Sequence, residues 1–91
     1  MTKIGERIKQ LRTERQLTLD MLVADLKHKY PDIKIDKGML SRWENGQNEP
    51  SLERAKYISM YFDVSIDYLI GLTDVRTPSR LLAMRNRKEQ Q

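Results

Sequence analysis

The sequence predicts an all-α fold, a compact five-helix domain around one core, and three observations carry that prediction. Apolar residues recur at spacings of three and four along most of the chain, and no sustained alternation marks a strand. Thr, Asp or Ser stands just ahead of most apolar stripes, where helix N-caps belong, and glycine follows several of them. A length of 91 residues with 38% hydrophobic and 33% charged residues suits one domain with a small core, and is too apolar for a disordered chain.

The elements follow in order. Ile4, Ile8, Leu11 and Arg15 step along one face of a first helix, which Gln16 and Leu17 end. Thr18 caps a second helix with Leu19, Leu22, Val23 and Leu26 on its stripe. It runs toward Tyr30 and stops at Pro31, which has no N–H and disfavours helix in the residue before it. Asp32 to Ile35 reads as a loop. Asp36 caps a short third helix with Leu40 and Trp43 inward, ended by Asn45-Gly46. Ser51 caps a fourth helix whose inner face is expected to hold Leu52, Ala55, Ile58, Ser59 and Phe62. Ser65 caps a fifth with Ile66, Leu69 and Ile70, ending at Gly71. Residues 1–74 then form the domain, and 75–91 a basic tail or linker that Thr77-Pro78 open as a partial helix, with Leu81, Leu82 and Met84 as its apolar anchors.

Composition excludes several functions. With no cysteine there is no disulfide, thiolate zinc site, iron–sulfur cluster or cysteine nucleophile. The single histidine, His28, reads as a solvated helix residue, so no metal is expected. No apolar run is long enough to cross a membrane, and Met1 to Arg7 does not read as a signal peptide, so a cytoplasmic protein is expected. There is no nucleophile–base set, no paired-carboxylate cleft, and Gly5, Gly38, Gly46 and Gly71 are too scattered for a phosphate loop. No enzyme activity, cofactor or small-molecule ligand is expected. The net charge of +4 resides at the ends: residues 1–17 and 75–91 are basic, whereas 18–74 carry more acidic than basic residues. Net charge alone is therefore a weak pointer to nucleic acid.

The third helix carries the sharper signal. Opposite Leu40 and Trp43, its outer side presents Lys37, Ser41 and Arg42, with Gly38 leaving a gap. A cation, a hydroxyl and a guanidinium on one helix face suit the major groove, where Arg and Lys pair with guanine acceptors and a bare glycine lets the backbone approach the base edges. Trp43 reads as core rather than as a base-stacking residue.

Three blocks carry a family likeness: Ile4-x-x-Arg7-Ile8-x-x-Leu11-Arg12-x-x-Arg15-x-Leu17-Thr18, then Leu40-Ser41-Arg42-Trp43-Glu44-Asn45-Gly46-x-x-x-Pro50-Ser51-Leu52-Glu53, then Tyr61 to Leu72. Over about four-fifths of the chain it resembles the lambda-repressor-like, xenobiotic-response-element type helix-turn-helix regulators, including the phage and prophage repressor and Cro-like domains. The resemblance implies a sequence-specific duplex-DNA-binding transcription regulator, a repressor of phage type in a bacterial cytoplasm. Its recognition helix would run from about Lys37 to Asn45, with Lys37, Gly38, Ser41 and Arg42 as base contacts. Thr18, Asn45 and Gln47 would touch phosphate, Thr18 through the helix N-terminus it caps. The connector lysines Lys27, Lys29 and Lys34 either reach phosphates or serve solubility, and Lys34 is the phosphate candidate among them. Arg12 and Glu44 match a salt bridge that ties the first helix to the recognition helix. A homodimer on a palindromic operator is implied, with half-sites about 34 Å apart.

The chain departs from the pattern in three places. The connector between the two motif helices is about seven residues longer than usual, Leu19 replaces a frequent glutamine, and Val23 replaces a small residue. Ile66, Tyr68 and Ile70 read either as a dimer patch or as the domain's edge, and Tyr57, Met60 and Tyr61 as packing or a partner surface. The alternative function is a protein-interaction module, an antitoxin or docking domain built on the same fold.

Overall fold

In the computed structural model, which describes residues 2–78, the chain forms α1 (Lys3–Glu14), α2 (Leu19–Lys29), α3 (Lys37–Glu44), α4 (Leu52–Phe62) and α5 (Ile66–Ile70), with no strand among the described residues. Each helix opens on a side-chain cap. Thr18 Oγ1 accepts from Met21 N at 3.1 Å, Asp36 Oδ1 from Met39 N at 2.8 Å, Ser51 Oγ from Arg54 N at 3.2 Å and Ser65 Oγ from Tyr68 N at 3.0 Å. Thr2 does the same for α1, binding Gly5 N at 3.2 Å. Each cap satisfies one of the amide donors that a first turn leaves unpaired.

One core joins all five helices. Ile8, Leu22, Leu26, Leu40, Ile58 and Leu69 are fully enclosed, and Ile4, Leu11, Trp43, Ala55 and Phe62 complete its walls. Trp43 is buried. The segment between α2 and α3 is more than a solvated loop: Ile33 and Ile35 are both buried, so alternate side chains pin the connector to the core. Tyr30 adds a tilted ring contact with Tyr57 of α4, centroids 5.0 Å apart, and burial raises its phenol pKa. Tyr61 donates to Asp25 Oδ2 at 2.7 Å, a second tie between α4 and α2, and burial followed by that carboxylate raises its pKa.

Some expectations for individual residues are corrected. Leu52 is 77% exposed rather than on the inner face, because it occupies the first helical position of α4, next to Ser51 rather than over the core. Ile70 is also exposed, whereas Tyr68 is buried and offers no ring to a partner. Arg15 leaves the apolar stripe and lies over the Phe62 ring, its guanidinium carbon 5.0 Å from the centroid.

Helix α1 meets α3 closely. A Cβ on Gly5 would collide with the Trp43 carbonyl, so the absence of a side chain there sets the approach of the two backbones. Gly5→Ala is expected to cost about 1–3 kcal/mol through overpacking, seen as a lower thermal midpoint with helical content retained. An unchanged midpoint would show that α1 slides away freely.

The chain beyond α5 turns back at Gly71, which has φ of 91°, and returns along α1. Arg7, buried on α1, donates to the carbonyls of Tyr68 and Thr73, both at 2.8 Å, and to Asp74 Oδ1 at 2.6 Å. Its guanidinium also lies 3.9 Å from the Tyr68 ring centroid. Arg76 donates to Tyr68 Oη at 3.0 Å and grips Glu14 through two hydrogen bonds, which hold the Glu14 carboxyl below its ordinary pKa. Residues 75–78 thus follow the domain surface without helix, and the expected tail helix with Leu81, Leu82 and Met84 lies outside the described residues.

Candidate nucleic-acid interface

The short helix α3 is held from one side only. Leu40, Trp43 and Glu44 are buried, while Lys37, Gly38 and Arg42 are exposed and Ser41 is half-buried. Its buried charge, Glu44, is 5% exposed and is met by Arg12 of α1, itself 13% exposed. Arg12 Nε and Nη2 donate to the two carboxylate oxygens at 2.7 and 2.9 Å, and Nη1 donates to the Leu17 carbonyl at 2.7 Å. Such a two-pronged pair fixes orientation as well as distance. The hydrogen bonds to Glu44 raise the Arg12 pKa against the opposing effect of burial. One guanidinium therefore fixes α3 to α1 and the α1–α2 turn to both.

The outward stripe is ordered by its own contacts. Arg42 folds back along the helix, and a Cβ at Gly38 would stand 3.2 Å from Arg42 Nη1 and 3.4 Å from Asp36 Oδ1. Gly38 thus makes room for the guanidinium to lie against the helix, in the N-terminal direction that helical side chains take. Asn45 Nδ2 donates to Ser41 Oγ at 3.4 Å, joining the C-terminal end of the stripe to its centre. Gln47 N donates to the Arg42 carbonyl at 2.9 Å, and Gly46 takes φ of 76°, which closes the helix and leaves Asn45 and Gln47 exposed beside it.

The first turn of α2 joins this surface. Lys37 Nζ donates to Asp20 Oδ2 at 3.3 Å, which brings the opening turns of α2 and α3 within one side-chain pair of each other. Thr18 caps the α2 turn two residues before Asp20, and the positive ends of both helices are exposed there. Lys34 belongs to the connector rather than to the stripe: its side chain is exposed, and its carbonyl accepts from Arg54 Nε at 2.5 Å. The structure thus brings together Lys37, Gly38, Ser41, Arg42 and Asn45 on α3 and its cap, with Gln47 following and the Thr18 turn alongside. Asp20 was not among the residues singled out in the sequence. Its place in a capped first turn was readable, but its pairing across 17 positions was not.

Among the described residues, no helix is long and apolar enough to cross a membrane, and no group of acidic or histidine residues has the arrangement of a metal site. A cation-bearing short helix, buried on one side and set across a capped helix, defines a domain of the helix-turn-helix class. Residues 5–75 match the family described as "Helix-turn-helix domain", and the chain belongs to that family of DNA-binding domains. It is 34% identical over 69 residues to the "HTH-type transcriptional activator BcrR" of Enterococcus faecalis, covering 76% of this chain and 30% of that protein. It is 31% identical over 84 residues to the "Uncharacterized HTH-type transcriptional regulator YobD" of Bacillus subtilis (strain 168), covering 92% of this chain and 67% of that protein. The chain thus spans less than a third of the Enterococcus protein's length and about two thirds of the Bacillus protein's. No solved structure matches it.

Proposed function

We propose that the protein is a sequence-specific duplex-DNA-binding transcription regulator of phage-repressor type, with α3 in the major groove. The observation that carries this reading is the outward stripe of exposed Lys37, Gly38 and Arg42 with half-buried Ser41, on a helix whose opposite side is locked into the core. Lys37 and Arg42 would read guanine acceptors and Ser41 an adaptable neighbour, while Gly38 permits close approach. The first-turn amides capped by Thr18, together with Lys34, Asn45 and Gln47, would hold backbone phosphates and set register. Both relatives are named as transcription regulators, which supports the regulatory role. Repression requires only occupancy of a promoter, which DNA binding alone would supply; the Enterococcus protein's name states activation. A homodimer on a palindromic operator follows from the resemblance, and the site of action would be the bacterial cytoplasm.

The test is selection of bound sites from random duplexes, followed by titration over a salt series. The expected result is an enriched motif with two related half-sites about 34 Å apart, bound about a thousandfold or more tighter than a scrambled duplex. Affinity for both should fall steeply with salt. Failure to enrich any motif would overturn the reading.

A further inference from the structure

Asp20 is the one acidic side chain paired directly to the reading stripe in the described residues: its Oδ2 lies 3.3 Å from Lys37 Nζ. The two side chains are 73% and 59% exposed, so the pair is reached by solvent and by any approaching duplex. We propose that Asp20 is a specificity-determining residue that holds Lys37 in base-reading position and off the phosphate backbone. The inference rests on the DNA-reading function proposed above.

The argument is one of donor arithmetic and charge. A lysine ammonium has three N–H donors. With one directed at Asp20, two remain, which suits the N7 and O6 acceptors of a single guanine. In that pose the pair survives in the specific complex. A phosphate contact makes a different demand: Lys37 must leave Asp20 and swing toward the backbone, and Asp20 is then an unpaired negative charge beside phosphates. Duplexes that offer no guanine in the right place have only this second mode. Asp20 therefore weakens binding to wrong sequences more than to the right one, the repulsive element that specific interfaces need. Asp20 lies in the first turn of α2, beside the amides proposed above to hold a phosphate, so the backbone feels its charge whenever Lys37 is not there to neutralise it.

The test compares the full chain with Asp20→Asn, Asp20→Glu and Lys37→Ala. Each is titrated against the duplex recovered by selection and against a scrambled duplex of equal length and composition. Asp20→Asn is expected to tighten binding to the scrambled duplex about three- to tenfold and to leave the selected duplex within about twofold, so the specificity ratio falls. Asp20→Glu, which keeps the charge and lengthens the reach by one methylene, should retain most of the ratio. In a Lys37→Ala background, Asp20→Asn should no longer change the ratio, because its partner is gone. An equal gain on both duplexes would reduce Asp20 to a general repulsive charge and overturn the proposal, as would a loss on the selected duplex alone that Asp20→Glu fails to rescue. If the unmodified chain binds the two duplexes equally, the DNA-reading function itself falls; if only the Asp20 variants leave the ratio unmoved, this inference alone falls.

Discussion

Glu44→Ala is expected to destabilise the domain by about 3–5 kcal/mol, because it strands the Arg12 guanidinium in a site nearly closed to water. At roughly 4–8 °C per kcal/mol for a domain of this size, the thermal midpoint should fall by more than about 12 °C. The pair is enclosed and two-pronged, so it differs from a surface ion pair worth about 0–1 kcal/mol. A double variant, Arg12→Met with Glu44→Leu, removes both charges and is expected to recover most of the lost stability. Thermal or denaturant unfolding of the three proteins checks this. A loss below about 1 kcal/mol for Glu44→Ala would mean that water reaches the pair and that α3 is held by its apolar side alone. Duplex affinity, measured well below the midpoint, should change less than stability does, since neither residue lies on the exposed stripe.

Arg42→Ala should do the opposite. Its side chain is exposed, so stability is expected to stay within about 0.5 kcal/mol. Binding to the selected duplex should weaken by about 1–3 kcal/mol, roughly 5- to 150-fold, with preference flattened at one base pair. Binding to a scrambled duplex should fall far less, losing only one cation's share of counterion release. Equal losses on every sequence would make Arg42 a phosphate contact rather than a reader. Gly38 enters the same prediction, because the guanidinium lies against its bare backbone. A methyl there would shift Arg42 by a few tenths of an ångström and change where it reaches the groove.

The helices were legible because their ends are chemically marked. Thr18, Asp36, Ser51 and Ser65 are short polar side chains directly ahead of apolar stripes, and each caps the turn that follows. Gly46 and Gly71 mark the ends of α3 and α5, and both take positive φ. Trp43 was readable as core from its spacing with Leu40. Apart from the Arg12–Glu44 pair, which the family resemblance implied, contacts between distant parts of the chain were not readable. Arg7 is buried because carbonyls 61 and 66 residues away converge on it, and no local pattern announces that. Ile33 and Ile35 lie in a stretch with loop signals, yet both are buried, because a long connector with apolar residues two apart can be pinned like a strand edge without being one. Leu52 misled in the other direction: its spacing with Ala55 was helical, but the first turn of α4 overhangs the core. At the candidate interface, the residue types on α3 were visible in sequence. Their ordering by Asp20 and Asn45 came only with the fold.

The most direct measurement is an isotope-labelled amide titration of the intact chain with the selected duplex. The account predicts the largest shifts at Thr18 to Met21 and at Lys37 to Gln47, with the α4–α5 turn around Asp63 and Val64 nearly unmoved, and a weaker, salt-sensitive response to scrambled duplex. Shifts concentrated away from α3, or an identical pattern with both duplexes, would contradict it.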